Sequence, residues 1–296
     1  TRMLLYVAAQ TGEDLSSADV GNAYLEADLP EDEVVFVEQH PDAAVDGYPP
    51  KDWVLRLKKC LYGLPQAGRG FQRVYTKMML DLGFKRSSAE DCLFIYHHPE
   101  HGRIMCSSYV DDLICLTNSK YLRDWWRSNL SKHFAKVTFE DSLDYILGIK
   151  INRGVDSNGN RYLELDHKAS IEKIAAQAQV GDGHRRVGSP MDHSEKLRRN
   201  SSEDEEAEGS YTPPYSYPSI LGSLMYLANL SRPDIVTAVH KLSRYVANPS
   251  ARHYRALTRV VAFTYQTRDR FLRYTQSPEE NDPFRLYSAS DASYAD

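Results

Sequence analysis

At 296 residues, 42% hydrophobic and 26% charged, the chain is ordinary soluble globular material with enough apolar content for a sizeable core in two or more subdomains. It carries no apolar run long enough to span a bilayer and no amino-terminal signal pattern, so a soluble intracellular protein is expected, with no membrane partner. The net charge of −5 argues against a polyanionic partner, but its distribution argues for one: residues 3 to 50 hold eleven acids and no Lys or Arg, residues 51 to 90 hold nine basic residues against three acids, and residues 231 to 274 hold nine against two. Taken singly, each Lys or Arg reads rather as part of a solvated face. Cys60, Cys92, Cys106 and Cys115 show no Cys-x-x-Cys spacing, and the last three lie in apolar, strand-like runs, so reduced thiols are expected, with neither disulfides nor zinc.

Residues 2 to 10 read as an apolar helix ending near Gly12, followed by a strand over Leu15 to Val20 that carries Asp19 near its end. Glu33 to Glu38 is β-rich, with Trp53 to Leu57 its partner after the Pro49-Pro50 break. Gly63, Pro65, Gly68 and Gly70 form a loop that opens a helix in which Phe71, Val74, Tyr75, Met78, Met79 and Leu82 recur at helical spacing, and Gly83 stops it. A strand from Cys92 to His97 turns at Pro99 to Gly102 into a further hairpin. His97-His98 is a weak metal signal, because neighbours on a strand point to opposite faces. A helix from Ser119 runs to about His133; Leu143 to Arg153 and Arg161 to Asp166 pair around Asn158-Gly159; helix resumes from His167 to about Ala178. Residues 180 to 216, with the acid run Glu203 to Glu208, read as a linker. Tyr217 to Leu230, Pro233 to Val246 and Arg252 to Thr267 are three helical patterns forming a small layer.

Ser107-Ser108-Tyr109-Val110-Asp111-Asp112-Leu113-Ile114 is the stretch with chemistry in it. Apolar, strand-like runs flank two adjacent carboxylates, which places the acids at the tip of a hairpin. Such acids repel one another unless protonated, solvated or bridged by a cation, and hard oxygen ligands suit Mg²⁺. Asp-Asp alone also serves as plain turn chemistry.

Read in full, Tyr109-Val110-Asp111-Asp112 resembles the Tyr-x-Asp-Asp box of reverse transcriptases, and the chain resembles the copia-type family of long-terminal-repeat retrotransposons. Four further stretches carry the likeness in order: Asp19 to Leu25, Leu61 to Ala67, Leu147-Gly148-Ile149, and Gly222 to Leu227 followed by Arg232-Pro233-Asp234. The resemblance implies an α+β fold: a right-hand polymerase palm with part of the fingers over 1 to 118, an antiparallel sheet backed by helices; a palm hairpin and thumb-like helix over 119 to 179; the linker over 180 to 216; a helical connection region over 217 to 280; and the start of a ribonuclease H domain over 281 to 296. It implies RNA-directed DNA synthesis on a primer 3′-hydroxyl with two Mg²⁺ ions, Mn²⁺ being a substitute, held roughly 3.5–4 Å apart. By that resemblance Asp19, Asp111 and Asp112 are the catalytic and metal-binding acids, the first two as main ligands. Tyr24 excludes a ribose 2′-hydroxyl or, on the other reading, is a core tyrosine. Gln66 and Arg69 reach the nucleotide, and Tyr109 contacts substrate. Tyr145 to Ile149 positions the primer or is plain core strand, and Asp291 is a first ribonuclease H carboxylate that cannot hold two metals alone.

The partners implied are an RNA or DNA template-primer, deoxynucleoside triphosphates and the rest of a polyprotein with integrase and ribonuclease H, in a cytoplasmic virus-like particle and later the nucleus. Thr1 and the run to Asp296 both read as cut ends of such a polyprotein, and the basic fingers residues that in the family lie upstream of Asp19 are not in this chain. Gly68 and Phe71 also stand where many copia-type enzymes have Pro and Trp. A non-catalytic nucleic-acid-binding protein or decayed element, or another palm-fold enzyme such as a nucleotidyl cyclase, would keep the same acids.

Overall fold

The computed structural model describes residues 2–192, 197–199 and 214–277. Two units divide the chain after Leu143. The first begins with the apolar helix α1 (Arg2–Thr11), which ends where Gly12 takes φ 69°. Strand β1 (Asp14–Val20) follows, then a two-stranded ribbon, β2 (Phe36–Glu38) with β3 (Val54–Arg56), paired antiparallel as expected. Helix α2 spans Ala67–Asp81. Gly68 and Gly70 therefore lie inside its first turns and not in the preceding loop. Gly70 is required there by contact: a Cβ at this position would stand 2.8 Å from Cys60 Sγ and 3.2 Å from Ala27 Cβ.

Strands β4 (Lys85–Arg86), β5 (Leu93–His98), β6 (Gly102–Tyr109) and β7 (Asp112–Thr117) come next, then helix α3 (Lys120–His133), whose first turn is capped by Ser119 Oγ accepting from Leu122 N–H, and strand β8 (Val137–Glu140). They form one sheet in the order β4-β5-β6-β7-β1-β8, antiparallel at each pairing. Burial alternates along the strands. Ala18 and Val20 of β1, Ile104 and Cys106 of β6, and Leu113 and Cys115 of β7 share one core with Phe71, Tyr75, Met78 and Met79 of α2 and Leu122, Trp126 and Leu130 of α3. The two helices thus back the sheet, and residues of the other parity, Asp19 and Asp112 among them, belong to its opposite face.

The second unit opens with a four-stranded sheet in the order β12-β11-β10-β9: β9 (Tyr145–Ile146), β10 (Ile149–Val155), β11 (Arg161–Asp166) and β12 (Leu272–Thr275). The expected single strand from Leu143 to Arg153 is broken by a two-residue turn in which Leu147 and Gly148 take φ 49° and 74°. Helices α4 (Lys168–Gln177), α5 (Tyr217–Leu230), α6 (Val236–Ser243) and α7 (Ala251–Gln266) share a core that includes Ile171, Tyr217, Leu224, Leu242, Leu257 and Val260. Val187, Met191 and Leu197 pack against it. The Arg232-Pro233-Asp234 motif is a staple of this core: buried Arg232 donates to both carboxylate oxygens of Asp234, at 2.9 and 2.8 Å, and to Thr267 Oγ1 at 2.7 Å. The acid run Glu203 to Glu208 and Asp291 lie outside the described residues. Among the described residues no helix is long and apolar enough to cross a membrane.

Candidate active site

The hairpin β6–β7 closes on a two-residue turn, Val110-Asp111, with Tyr109 and Asp112 as the last cross-strand pair. Val110 occupies the left-handed region at φ 56°, which a β-branched residue rarely adopts. Beside it β1 runs antiparallel to β7 with Asp19 directly opposite Asp112, and Val20 N–H donates to the Asp111 carbonyl at 3.2 Å. Cross-strand partners share a face, so Tyr109, Asp112 and Asp19 form one row over three neighbouring strands, extended by Thr138 of β8. Asp19 and Asp112, 93 positions apart in sequence, become immediate neighbours, with Asp111 in the adjoining turn.

Electrostatics follow from that proximity. Partial burial raises the Asp112 carboxyl above its ordinary pKa, and the charges of Asp111 and then Asp19 raise it further. Among the described residues none of the three acids has a cationic or hydrogen-bonding side-chain partner. Three carboxylates at one sheet end, with no counter-charge among the described residues, are hard oxygen donors of the kind that divalent cations take. As placed, no three His, Cys, Asp or Glu groups among the described residues converge on a single ion position, so the arrangement offers the right oxygens without a closed cage.

Past β1, Asn22 at φ 57° turns the chain into a 3₁₀ segment, Ala23–Glu26, that carries Tyr24. The Tyr24 ring is half-buried, and its hydroxyl would lie 3.9 Å from a Cβ built on Gly68, at the start of α2. Gln66 is the N-cap residue of α2, half-buried, its carbonyl accepting from Gly70 N–H at 2.9 Å. Arg69 is exposed on the first turn and lines a hollow of about 460 Å³ with Gln72, Arg73, Thr76, Lys77 and Arg86. Lys77 and Arg86 there are paired with Asp81 and Asp91. Tyr109 is 60% exposed beside the acids.

Two neighbours of this site were not singled out from sequence. Tyr62 lies with its ring centroid 4.4 Å from that of Tyr24, and its hydroxyl is pushed above the ordinary tyrosine pKa by partial burial and by Asp111, Tyr24 and Asp19. Gln72 Oε1 accepts from Ser108 Oγ at 3.4 Å, joining α2 to the hairpin strand. Tyr62 stands in the Leu61-to-Ala67 stretch, so its neighbourhood was marked; Gln72 sits on the polar side of an amphipathic helix and carried no signal. Of the His97-His98 pair, His98 belongs to turn chemistry, its Nδ1 accepting from Glu100 N–H at 3.1 Å and His101 N–H at 3.2 Å. All four cysteines are free thiols.

Residues 1–191 match the family model described as reverse transcriptase (RNA-dependent DNA polymerase). The chain is similar to the retrovirus-related Pol polyprotein from transposon RE2 of Arabidopsis thaliana, 33% identical over 302 residues that cover 99% of this chain and 19% of the relative. It is similar to that from transposon TNT 1-94 of Nicotiana tabacum, 29% identical over 88% of this chain and 19% of the relative. The putative transposon Ty5-1 protein of Saccharomyces cerevisiae is 30% identical over 86% of this chain and 78% of its own length. The chain thus spans about a fifth of the two plant polyproteins.

Proposed function

This chain belongs to the reverse transcriptase (RNA-dependent DNA polymerase) family, as the reverse transcriptase domain of a copia-type retrotransposon Pol polyprotein, and from that premise we propose that Asp19, Asp111 and Asp112 are its catalytic acids, adding deoxynucleotides to a primer 3′-hydroxyl. The observation that carries the reading is the β1–β7 register, which sets Asp19 against Asp112 and beside Asp111 with no counter-charge among the described residues. These carboxylates would hold Mg²⁺, or Mn²⁺ in its place; when bound, the metal supplies an acidified 3′-hydroxyl and neutralises charge on the triphosphate.

The chain's own residues do the rest. The strained Val110-Asp111 turn fixes the carboxylates at one end of a sheet that α2 and α3 hold rigid, so little reorganisation is needed when charge develops. Tyr24 presents a ring edge that bars a 2′-hydroxyl. Gln66 offers an amide that donates and accepts without adding charge. Arg69, a guanidinium with no ion pair among the described residues, meets phosphate, and Tyr109 meets the substrate from beside Asp112. On this reading residues 1 to 118 are the palm with part of the fingers, and residues 119 to 179 supply a primer-positioning hairpin at Tyr145 to Ile149 and a thumb-like helix, α4. Template-primer and deoxynucleoside triphosphates are the substrates, and the remainder of the polyprotein, with integrase and ribonuclease H, is the partner.

Primer extension on an RNA template with Mg²⁺ tests this. Wild type should extend the primer and Asp111→Asn should fall by at least about a thousandfold, the scale on which removal of a transition-state charge partner acts. Equal extension by both proteins, or template binding by wild type with no metal-dependent extension, would reject the catalytic assignment.

A further inference from the structure

Tyr62 has no assigned part in the site, yet four observations gather on it. Its ring packs on Tyr24 at 4.4 Å between centroids and 47° between planes, the tilted geometry favoured by aromatic quadrupoles. It remains 52% exposed. Its hydroxyl has no hydrogen-bond partner among the described residues. Asp111 and Asp19 stand near enough for their charges to act on that hydroxyl.

The two rings arrive from different directions. Tyr24 comes from the 3₁₀ segment after β1, and Tyr62 from the loop that enters α2, just before Gly63 at φ 98°. A half-buried Tyr24 is anchored in two cores: it packs with the residues under the sheet, and with Ala27, Cys60 and Ala67. Tyr62 adds a ring contact to those two cores. A phenol ring packed against two cores and a second ring has little room to rotate, and steric selection between a hydrogen and a hydroxyl on a sugar is only as sharp as the excluding group is immobile.

We propose that Tyr62 is a specificity-determining residue: it clamps the Tyr24 ring and thereby sets how strictly the site rejects ribonucleotides. The inference rests on the sugar-selecting role given to Tyr24 above. It requires Tyr62 to act through Tyr24, with its ring as the working part and its hydroxyl dispensable.

The test is kcat/KM for a deoxynucleotide and the matching ribonucleotide in Mg²⁺-dependent primer extension. It compares wild type, Tyr62→Phe, Tyr62→Leu, Tyr62→Ala, Tyr24→Ala and the Tyr24→Ala/Tyr62→Ala double variant, with melting temperatures recorded for each. Tyr62→Ala should raise the ribo-to-deoxy ratio about tenfold, through a lower KM for the ribonucleotide rather than a uniform loss in kcat. Tyr62→Phe should hold the wild-type ratio, and the double variant should match Tyr24→Ala within about twofold. Tyr62→Leu, which keeps bulk without a ring, carries the readout if Tyr62→Ala does not fold. A wild-type ratio in Tyr62→Ala or Tyr62→Leu, or full additivity in the double variant, overturns the clamp while leaving Tyr24 in its role. An unchanged ratio in Tyr24→Ala, or no extension by wild type, rejects the reading beneath it and the clamp with it.

Discussion

Asp112 is the acid whose environment most opposes its charge. Partial burial, Asp111 and Asp19 all raise its pKa, so the folded chain binds this proton more tightly than the unfolded chain does. The stability this group contributes is therefore present below the ordinary aspartate pKa and is lost as pH rises through the folded value. Above that value the Asp112 charge costs the fold something, and the cost ends when the charge is removed. Asp112→Asn, without divalent cations, should melt higher than wild type by about 2–4 °C, the equivalent of ~1 kcal/mol after solvent screening. The gap should close as pH falls towards the aspartate range, and added Mg²⁺ should stabilise wild type more than the variant. Scanning calorimetry at several pH values decides it: a lower melting temperature for the variant at neutral pH would mean that the carboxylates are not in mutual repulsion.

At the level of elements, the turn between β6 and β7 makes a separate claim. A left-handed conformation costs a residue with a Cβ roughly 1–2 kcal/mol, and glycine removes that cost while adding about 0.5–1 kcal/mol of backbone entropy. Val110→Gly should therefore change stability by less than about 1 kcal/mol in urea unfolding. Its extension rate should nevertheless fall about tenfold, because a glycine turn no longer holds Asp111 and Asp112 in one orientation. A rate equal to wild type would show that the strained turn plays no part in aiming the acids. The turn itself was legible from Asp-Asp between two apolar runs; its strain was not, since valine gives no warning of a positive φ. The same holds for Leu147 before Gly148, where an unbroken strand was read. Strands β8 and β12 went unread for another reason. Val137–Glu140 and Leu272–Thr275 alternate between half-buried and exposed, so their hydrophobic signal is faint, and pairing with distant strands makes them what they are. By contrast α2 was plain, because five buried residues at helical spacing leave little alternative.

For the whole chain, the question raised by its composition is how a protein of net charge −5 could hold the template-primer proposed for it. Segregation answers it, and the linear sequence already displayed the segregation. What only folding reveals is which cations are spoken for. Around the hollow beside α2, Lys77 is tied to Asp81 at 2.7 Å and Arg86 of β4 to Asp91 at 3.1 Å, whereas Arg69 and Arg73 have no ion pair among the described residues. They stand one helical turn apart, a spacing that lets both reach one strand of phosphates. Each phosphate neutralised releases counterions, so the slope of log K against log salt counts the contacts. Replacing both, Arg69→Ala with Arg73→Ala, should weaken binding of a labelled template-primer about tenfold at moderate salt and reduce that slope by about two, leaving sequence preference unaltered. Lys77→Ala, whose charge is already met by Asp81, should change the slope by much less. Fluorescence anisotropy over a salt series separates the outcomes: a double variant that keeps the wild-type slope would exclude this side of α2 from the nucleic-acid path.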